Sequence, residues 1–341
     1  MKINRQHTIA ALVGLAVATF LIWGFDNDPK LRYFHNEGKV FGTYYNIRYE
    51  STADLEDSIK AAFVAFDNSL SMFNPHSVLS AINANRDTAT DVFFEEMWEE
   101  AVRVNALSDG AFDITVAPLV NYWGFGNKKL PPTPSLNEKD IDSIRQFVGF
   151  EKIRLTGHHV LKSDPRIQID GGAVAKGQAC DVIADLLKRN GCGNYLVDIG
   201  GEVVTHGVNP KGEKWRVGIT KPNLNNEGAQ DELQDILAVN NICMATSGNY
   251  RNYYYDGNQR RSHTIDPRTG YPVQHSVLSA TVASSSCMRA DALATACMVL
   301  GEEEALAMIS RAEDAACYLL VAKNDSLHVV QSENWEAFIA K

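Results

Sequence analysis

Residues 166–177 read Arg166-Ile167-Gln168-Ile169-Asp170-Gly171-Gly172-Ala173-Val174-Ala175-Lys176-Gly177. Residues 166–170 are strand-like, Gly171-Gly172 interrupts the strand, and residues 175–189 read as a helix. A further short apolar strand covers 195–199 and ends in Gly200-Gly201-Glu202. Strand, glycine turn, helix and strand in that order imply α/β organisation. The turn also sets a carboxylate at a strand end, glycines where backbone amides can approach a ligand, and a lysine in the first helical turn. A diphosphate suits such a turn, because a helix amino end has unsatisfied N–H donors and a positive dipole. The competing reading is a tight turn with a helix cap. The pattern is neither the nucleotide P-loop nor the Rossmann fingerprint.

Outward from this centre, residues 41–49 read as a strand, 51–70 as a helix begun by Ser/Thr and Asp signals, and 91–107 as a second helix ending at Ser108-Asp109-Gly110. The least structured stretch is 123–136, punctuated by Gly124, Gly126, Pro131, Pro132 and Pro134. It reads as a domain boundary or an active-site loop. At the amino end, Lys2 and Arg5 precede an uncharged apolar run from Thr8 to Phe25, closed by Asp26-Asn27-Asp28-Pro29. This is the pattern of an export signal or a membrane anchor. Ala16-Val17-Ala18 resembles a signal-peptidase site, yet the run continues for about 27 Å of helix, nearly a bilayer core, which favours an uncleaved anchor. The expected organisation is an anchor and short linker over 1–29 and one functional domain over 30–341, on the periplasmic side of a bacterial inner membrane.

The chain has 341 residues, 45% hydrophobic and 22% charged, with 42 Asp plus Glu against 32 Lys plus Arg and a formal charge of -10. Basic residues are not clustered, so nucleic-acid binding by general phosphate neutralisation is excluded. Cysteines at 180, 192, 243, 287, 297 and 317 lack paired C-x-x-C spacing, which argues against a zinc site or a disulfide scaffold.

Three further segments carry chemistry. In Gly110-Ala111-Phe112-Asp113-Ile114-Thr115, a buried Asp113 carboxylate needs donors or a cation. Ala245-Thr246-Ser247-Gly248-Asn249-Tyr250 precedes Ser262-His263-Thr264-Ile265-Asp266-Pro267-Arg268-Thr269-Gly270, whose tight turns leave His263 in a strand or loop, as a catalytic or a structural histidine. Asp291 and Thr295 lie four apart in a helix-compatible segment. One helical face then presents a carboxylate and a hydroxyl, part of an all-oxygen Mg²⁺ site or a cap and salt bridge.

Over approximately residues 36–335 the ordered set resembles the periplasmic FAD:protein FMN transferases. The set comprises Phe41-Gly42-Thr43, Leu70-Ser71-Met72-Phe73 with Ser77 and Asn83, the Gly110 to Thr115 and Asp170 to Gly177 segments, Gly200-Gly201-Glu202, the Ser262 to Gly270 segment, and Ala290-Asp291-Ala292-Leu293-Ala294-Thr295-Ala296. The expected fold is α/β or α+β, a flavin-transferase-like fold of interwoven sheet and helix layers as the resemblance implies. The resemblance also implies Mg²⁺-dependent transfer of FMN from FAD to a threonine hydroxyl of a partner flavoprotein, releasing AMP. Implied acceptors carry Asp-Gly-x-Thr and belong to sodium-pumping quinone reductases or related electron-transport complexes. By resemblance, Phe41, Phe73, Ala111, Phe112, Asp113, Asp170, Lys176 and the Ile265 backbone bind FAD. The carbonyls of Ala173 and Ala294, the Asp291 carboxylate and the Thr295 hydroxyl hold the metal. His263 is the implied general base or proton relay, with Asp266 ordering it, and Asp291 is the second implied catalytic residue. Phe41 stands where relatives often have methionine and Phe73 where many have tyrosine, which retains apolar contact without a phenolic hydrogen bond. Two alternatives stay open: an FAD pyrophosphatase yielding FMN and AMP, and a noncatalytic FAD-binding protein.

Overall fold

The computed structural model describes residues 30–126, 137–222, 232–250, 252–257, 259–324 and 326–340. Its centre is an eight-stranded sheet of Arg32–Val40, Thr43–Ser51, Tyr195–Ile199, Glu202–His206, Ile242–Gly248, Val277–Ser284, Ala315–Lys323 and Ser326–Gln331, ordered in space as in the chain. Every neighbouring pair is antiparallel. The fold is therefore α+β, one of the two architectures expected, and not the α/β organisation that the glycine turn alone implies. The physical reason lies at residues 166–170, which form no strand. Ile169 donates its N–H to Asn83 Oδ1 at 2.7 Å, and Asn83 Nδ2 donates to the Ile169 carbonyl at 2.8 Å. A side chain thus satisfies backbone groups that a ladder would otherwise pair.

Strand alternation sorts the core onto two faces. In Ala315–Lys323, Ala315, Cys317, Leu319 and Val321 belong to the large core, while Ala316, Tyr318 and Leu320 belong to a second cluster with Trp335. Successive side chains of a strand point to opposite faces, so both faces of this strand are covered, and Val277–Ser284 is likewise buried along its whole length. The helices Glu56–Leu70, Val92–Leu107, Ala175–Arg189 and Cys287–Leu300 lie in the large-core layer. The smaller layer takes residues from the hairpin Trp215–Thr220 with Leu233–Val239 and from Trp335–Ile339.

The first expected helix is shorter than read: the strand runs to Ser51 and the helix begins at Glu56. The second agrees closely, with Asp91 as its N-cap, accepting from the Phe94 N–H at 3.0 Å. The strand expected at 41–49 begins at Thr43, because Phe41 occupies the turn before it with φ of 50°. Within the stretch 123–136, Trp123 is buried and its indole donates to the Gly270 carbonyl at 2.8 Å; residues 127–136 lie outside the described ones.

The anchored part of the expected fold is also corrected. Residues 1–29 lie outside the described residues, and among the described residues no helix is long and apolar enough to cross a membrane. Anchoring has no support in the structure, and the placement at the periplasmic side of an inner membrane that depends on it is withdrawn.

Candidate active site

The amino end of Ala175–Arg189 meets the first turns of Cys287–Leu300 at Gly177. A Cβ there would lie 2.2 Å from the Cys287 carbonyl oxygen and 2.9 Å from the Asp291 Cβ, so only glycine permits this approach. The same contact lets the Gly177 N–H donate to Asp291 Oδ2 at 3.0 Å. Sequence positions 114 apart thus place a carboxylate at a helix amino terminus, where the dipole and free N–H groups favour negative charge.

Lys176 joins a second acid to this pair. Its Nζ lies 3.9 Å from Asp291 Oδ1 and donates to Glu202 Oε1. Glu202 and Asp291 are both buried, and Glu202 Oε2 has no hydrogen-bond partner among the described residues. Two buried carboxylates therefore face one ammonium. Burial raises the pKa of Asp291, and Lys176 opposes the rise. Burial likewise raises Glu202, with Lys176 opposing and the Asp291 charge adding to the rise. For Lys176, burial pulls downward, but the Asp291 and Glu202 carboxylates outweigh it and hold the ammonium above the usual lysine range.

This cluster borders a cavity of about 530 Å³. Phe41, Phe73, Ala111, Phe112, Asp113, Asp170, Ala173, Lys176, His263, Ile265, Asp291 and Thr295, all selected from the sequence, line it. Ala294 is fully buried and is not among the lining residues. Phe41 sits at the hairpin turn in a left-handed conformation that a non-glycine residue rarely adopts, its ring 5.7 Å edge-on to Phe63 and 5.6 Å from Phe66. Phe73 is 76% exposed, an aromatic ring at the wall with most of its surface free to meet a ligand. Thr295 Oγ1 lies 3.1 Å from Ser247 Oγ, one turn along the helix from Asp291.

Two of the expected FAD-contact acids are largely engaged by their own turns. Asp113 Oδ1 accepts from the Thr115 N–H and hydroxyl, both at 2.7 Å, and so caps the short helix Ile114–Val116. Burial raises its pKa against those two donors. Asp170 accepts from the Gly172 N–H at 2.7 Å, and burial raises its pKa too.

His263 lies in the loop between the strands Gln259–Ser262 and Ile265–Asp266. Its Nδ1 is 3.2 Å from the Asn252 carbonyl. A carbonyl only accepts, so Nδ1 carries the proton and the neutral ring keeps its lone pair on Nε2. Burial lowers its pKa below the ordinary histidine value, against the pull of that carbonyl. Asp266 does not order this ring, contrary to expectation: its oxygens bind Arg268, at 3.0 Å from both Nε and Nη2. Phe125 instead packs edge-on to the imidazole, 6.3 Å between centroids.

Sequence reasoning therefore missed Glu202, Ser247, Asn83 and Phe125 as site residues. The first three stood in segments that the motifs already marked, and for Glu202 and Ser247 a polar side chain beside a glycine was the only further signal. Among the described residues, no group of three or more His, Cys, Asp or Glu side chains is arranged to hold a metal ion.

Residues 41–319 match the ApbE family. A curated relative, the FAD:protein FMN transferase of Vibrio cholerae, is 35% identical over 322 residues, 90% of this chain and 93% of that protein. The FAD:protein FMN transferase of Escherichia coli K12 is 33% identical over 344 residues, 95% of this chain and 96% of that one. Among solved structures, the flavin transferase ApbE from Vibrio cholerae has a TM-score of 0.81 at 34% identity, covering 91% of this chain and all of that one, 100%. The apo flavinyl transferase ApbE of Pseudomonas stutzeri has a TM-score of 0.80 at 30% identity, covering 92% of this chain and 98% of its own.

Proposed function

We propose, for a chain that belongs to the ApbE family and is an FAD:protein FMN transferase, that the reaction requires Mg²⁺, ends on a threonine hydroxyl of a partner flavoprotein and releases AMP. The observation that carries this reading is one cavity whose wall combines the exposed Phe73 ring and Phe41 with the buried Asp291 and the half-buried Lys176, whose ammonium the buried Glu202 holds from outside the wall. Aromatic faces suit an isoalloxazine ring, and the charged cluster suits a diphosphate with its counter-ion. The transferase unit is taken as residues 30–341, because the lining residues come from both sides of 127–136.

The residues fit a hard divalent cation. Two buried carboxylates share one ammonium, Glu202 Oε2 has no hydrogen-bond partner among the described residues, and the Thr295 hydroxyl and Ala173 line the same cavity, while the Ala294 carbonyl stays a donor by resemblance alone. When bound there, Mg²⁺ would neutralise diphosphate charge as a Lewis acid. Asp291 holds that side of the site, with its geometry fixed by the Gly177 N–H. Lys176 stays charged and faces the diphosphate oxygens. Phe41, Phe73, Ala111, Phe112 and the Ile265 backbone frame the flavin, while Asp113 and Asp170 hold the turns that shape its pocket. His263 Nε2 takes the proton of the threonine hydroxyl as that oxygen bonds to the FMN phosphorus. The bond between this phosphorus and the bridging oxygen breaks, and AMP leaves with the bridging oxygen and its electron pair. The acceptor class is that of ion-pumping electron-transport flavoproteins, sodium-pumping quinone reductases among them.

Mass spectrometry of a threonine-containing acceptor peptide, incubated with the protein, FAD and Mg²⁺, tests this reading. The expected product is an FMN adduct on threonine that disappears without Mg²⁺ and falls at least about a hundredfold in rate in Asp291→Ala, the scale on which removal of a transition-state charge stabiliser acts. Free FMN and AMP with an unlabelled peptide would replace transfer by FAD hydrolysis.

A further inference from the structure

A second cavity, of about 250 Å³, adjoins the strand pair Tyr253–Asp256 and Gln259–Ser262. Three buried polar atoms of its lining residues have no hydrogen-bond partner among the described residues: Asn249 Oδ1, Arg260 Nε and Ser262 Oγ. Asn249 is 5% exposed and Ser262 4%. Buried polar groups left unpaired are unfavourable, and native proteins keep few of them. These three are also held in place. Asn249 Nδ2 donates to the Val277 carbonyl at 3.4 Å, which leaves Oδ1 as the open end of the carboxamide. Arg260 Nη2 donates to the Asn249 carbonyl at 2.8 Å, and its guanidinium lies 4.2 Å over the Tyr253 ring.

The charge and donor set define an occupant. Arg260 carries the formal charge of this lining, since His275 bonds the Met298 carbonyl through Nε2 at 2.8 Å, accepts from Val277 through Nδ1, and is kept neutral by burial, which lowers its pKa. The occupant must offer an oxygen to Arg260 and Ser262 and an N–H or O–H to Asn249. The exposed carboxamides of Gln259 and Gln274 border the same cavity. A polypeptide main chain supplies both kinds of group. Position points the same way: Gly248 and His263 line the first cavity, while their chain neighbours Asn249 and Ser262 line the second. The second cavity therefore lies across the backbone of 248–249 and 262–263 from the first.

We propose that the second cavity seats the part of the acceptor protein that adjoins the modified threonine, with a main-chain N–H on Asn249 Oδ1 and a carbonyl or carboxylate oxygen on Arg260 Nε and Ser262 Oγ. This rests on the transferase reading above. It assigns acceptor recognition to residues that have no part in holding FAD, and it explains why buried polar atoms are kept unpaired beside the reacting groups.

The test uses a synthetic peptide carrying Asp-Gly-x-Thr, with wild type, Ser262→Ala and Arg260→Lys compared in FMN transfer. Binding of the unreactive Thr→Val peptide is followed by fluorescence anisotropy. Loss of one hydrogen bond to a buried partner corresponds to a rise of about tenfold in peptide KM and in the Kd of the Thr→Val peptide, with FAD affinity unchanged. Ser262→Ala removes an unpaired hydroxyl, so its Tm stays at or above that of wild type. A wild type that labels the peptide alongside variants with unchanged KM and Kd overturns the acceptor seat and leaves the transferase reading standing. A wild type that binds FAD but labels no peptide overturns both.

Discussion

His263 carries its proton on Nδ1 against the Asn252 carbonyl, and burial keeps its pKa below the ordinary value of 6.5. The sign of its pH dependence follows. With His263 as the proposed base, active when neutral, transfer is constant above about pH 6.5 and falls as the pH drops through the lowered value. The unfolded chain protonates this residue first, so its contribution to stability is also lost as pH falls below about 6.5. His263→Ala should reduce kcat by about 10²–10⁴-fold and remove the acid limb. A limb in kcat/KM for the acceptor that lies above pH 6.5 would exclude His263 as its source. Local sequence left the roles of His263 and Asp291 open and only the family resemblance assigned them, but their places in a turn-flanked loop and on a helix face were readable, because turn signals and helical spacing each act over a few residues. The partners that define their chemistry were not. Lys176 meets Glu202 across 26 residues and Gly177 meets Asp291 across 114, and no local pattern encodes such a contact. Asp266 shows the opposite failure: proximity in sequence suggested a partner for His263, while the carboxylate turned to Arg268 two residues on.

At the level of elements, the crossing of Ala175–Arg189 and Cys287–Leu300 sets the site, and Gly177 sets the crossing. Gly177→Ala drives a Cβ to 2.2 Å from a backbone carbonyl that has no rotamer to escape through. Overpacking of this kind costs about 1–3 kcal/mol. It should also separate Asp291 from its backbone donor and weaken FMN transfer. Gly193→Ala is the matched control, since a Cβ there meets nothing within 4 Å. Urea unfolding should show a lowered midpoint for the first and none for the second; equal midpoints would mean that the helices slide apart without cost. Ala175–Arg189 itself was legible to the residue, from composition and its glycine-rich start. Residues 166–170 were not, because a strand-like pattern reports which side chains are apolar and not which groups their backbone bonds. Asn83 took the hydrogen bonds that would have made them a strand.

In the whole molecule, the sheet keeps chain order, and the site is assembled from the segments that leave it. Between Thr43–Ser51 and Tyr195–Ile199 the chain makes its longest excursion and returns to an adjacent antiparallel place. Phe73, Asp113, Asp170 and Lys176 come from that excursion, His263 from a later one, and Asp291 from the helix between two further sheet strands. Of the strands in this sheet only those near 41–49 and 195–199 were read from sequence, and the order was not, since antiparallel and parallel returns leave the same apolar pattern. A cavity shared by excursions so distant in the chain closes only in the folded state. FAD bound there should therefore stabilise the fold as a unit. At a free FAD concentration of 100 Kd, binding only to the native state adds about 2.7 kcal/mol, which at about 2.1 cal/mol/K of unfolding entropy per residue raises Tm by roughly 4 °C for a chain of this size. Differential scanning calorimetry at increasing FAD, with and without Mg²⁺, measures it. If the cation seats between Asp291 and the diphosphate, the rise with FAD is larger when Mg²⁺ is present, and the difference vanishes in Asp291→Ala because the shared carboxylate is gone. An Mg²⁺ increment that persists in Asp291→Ala would place the cation elsewhere in the molecule.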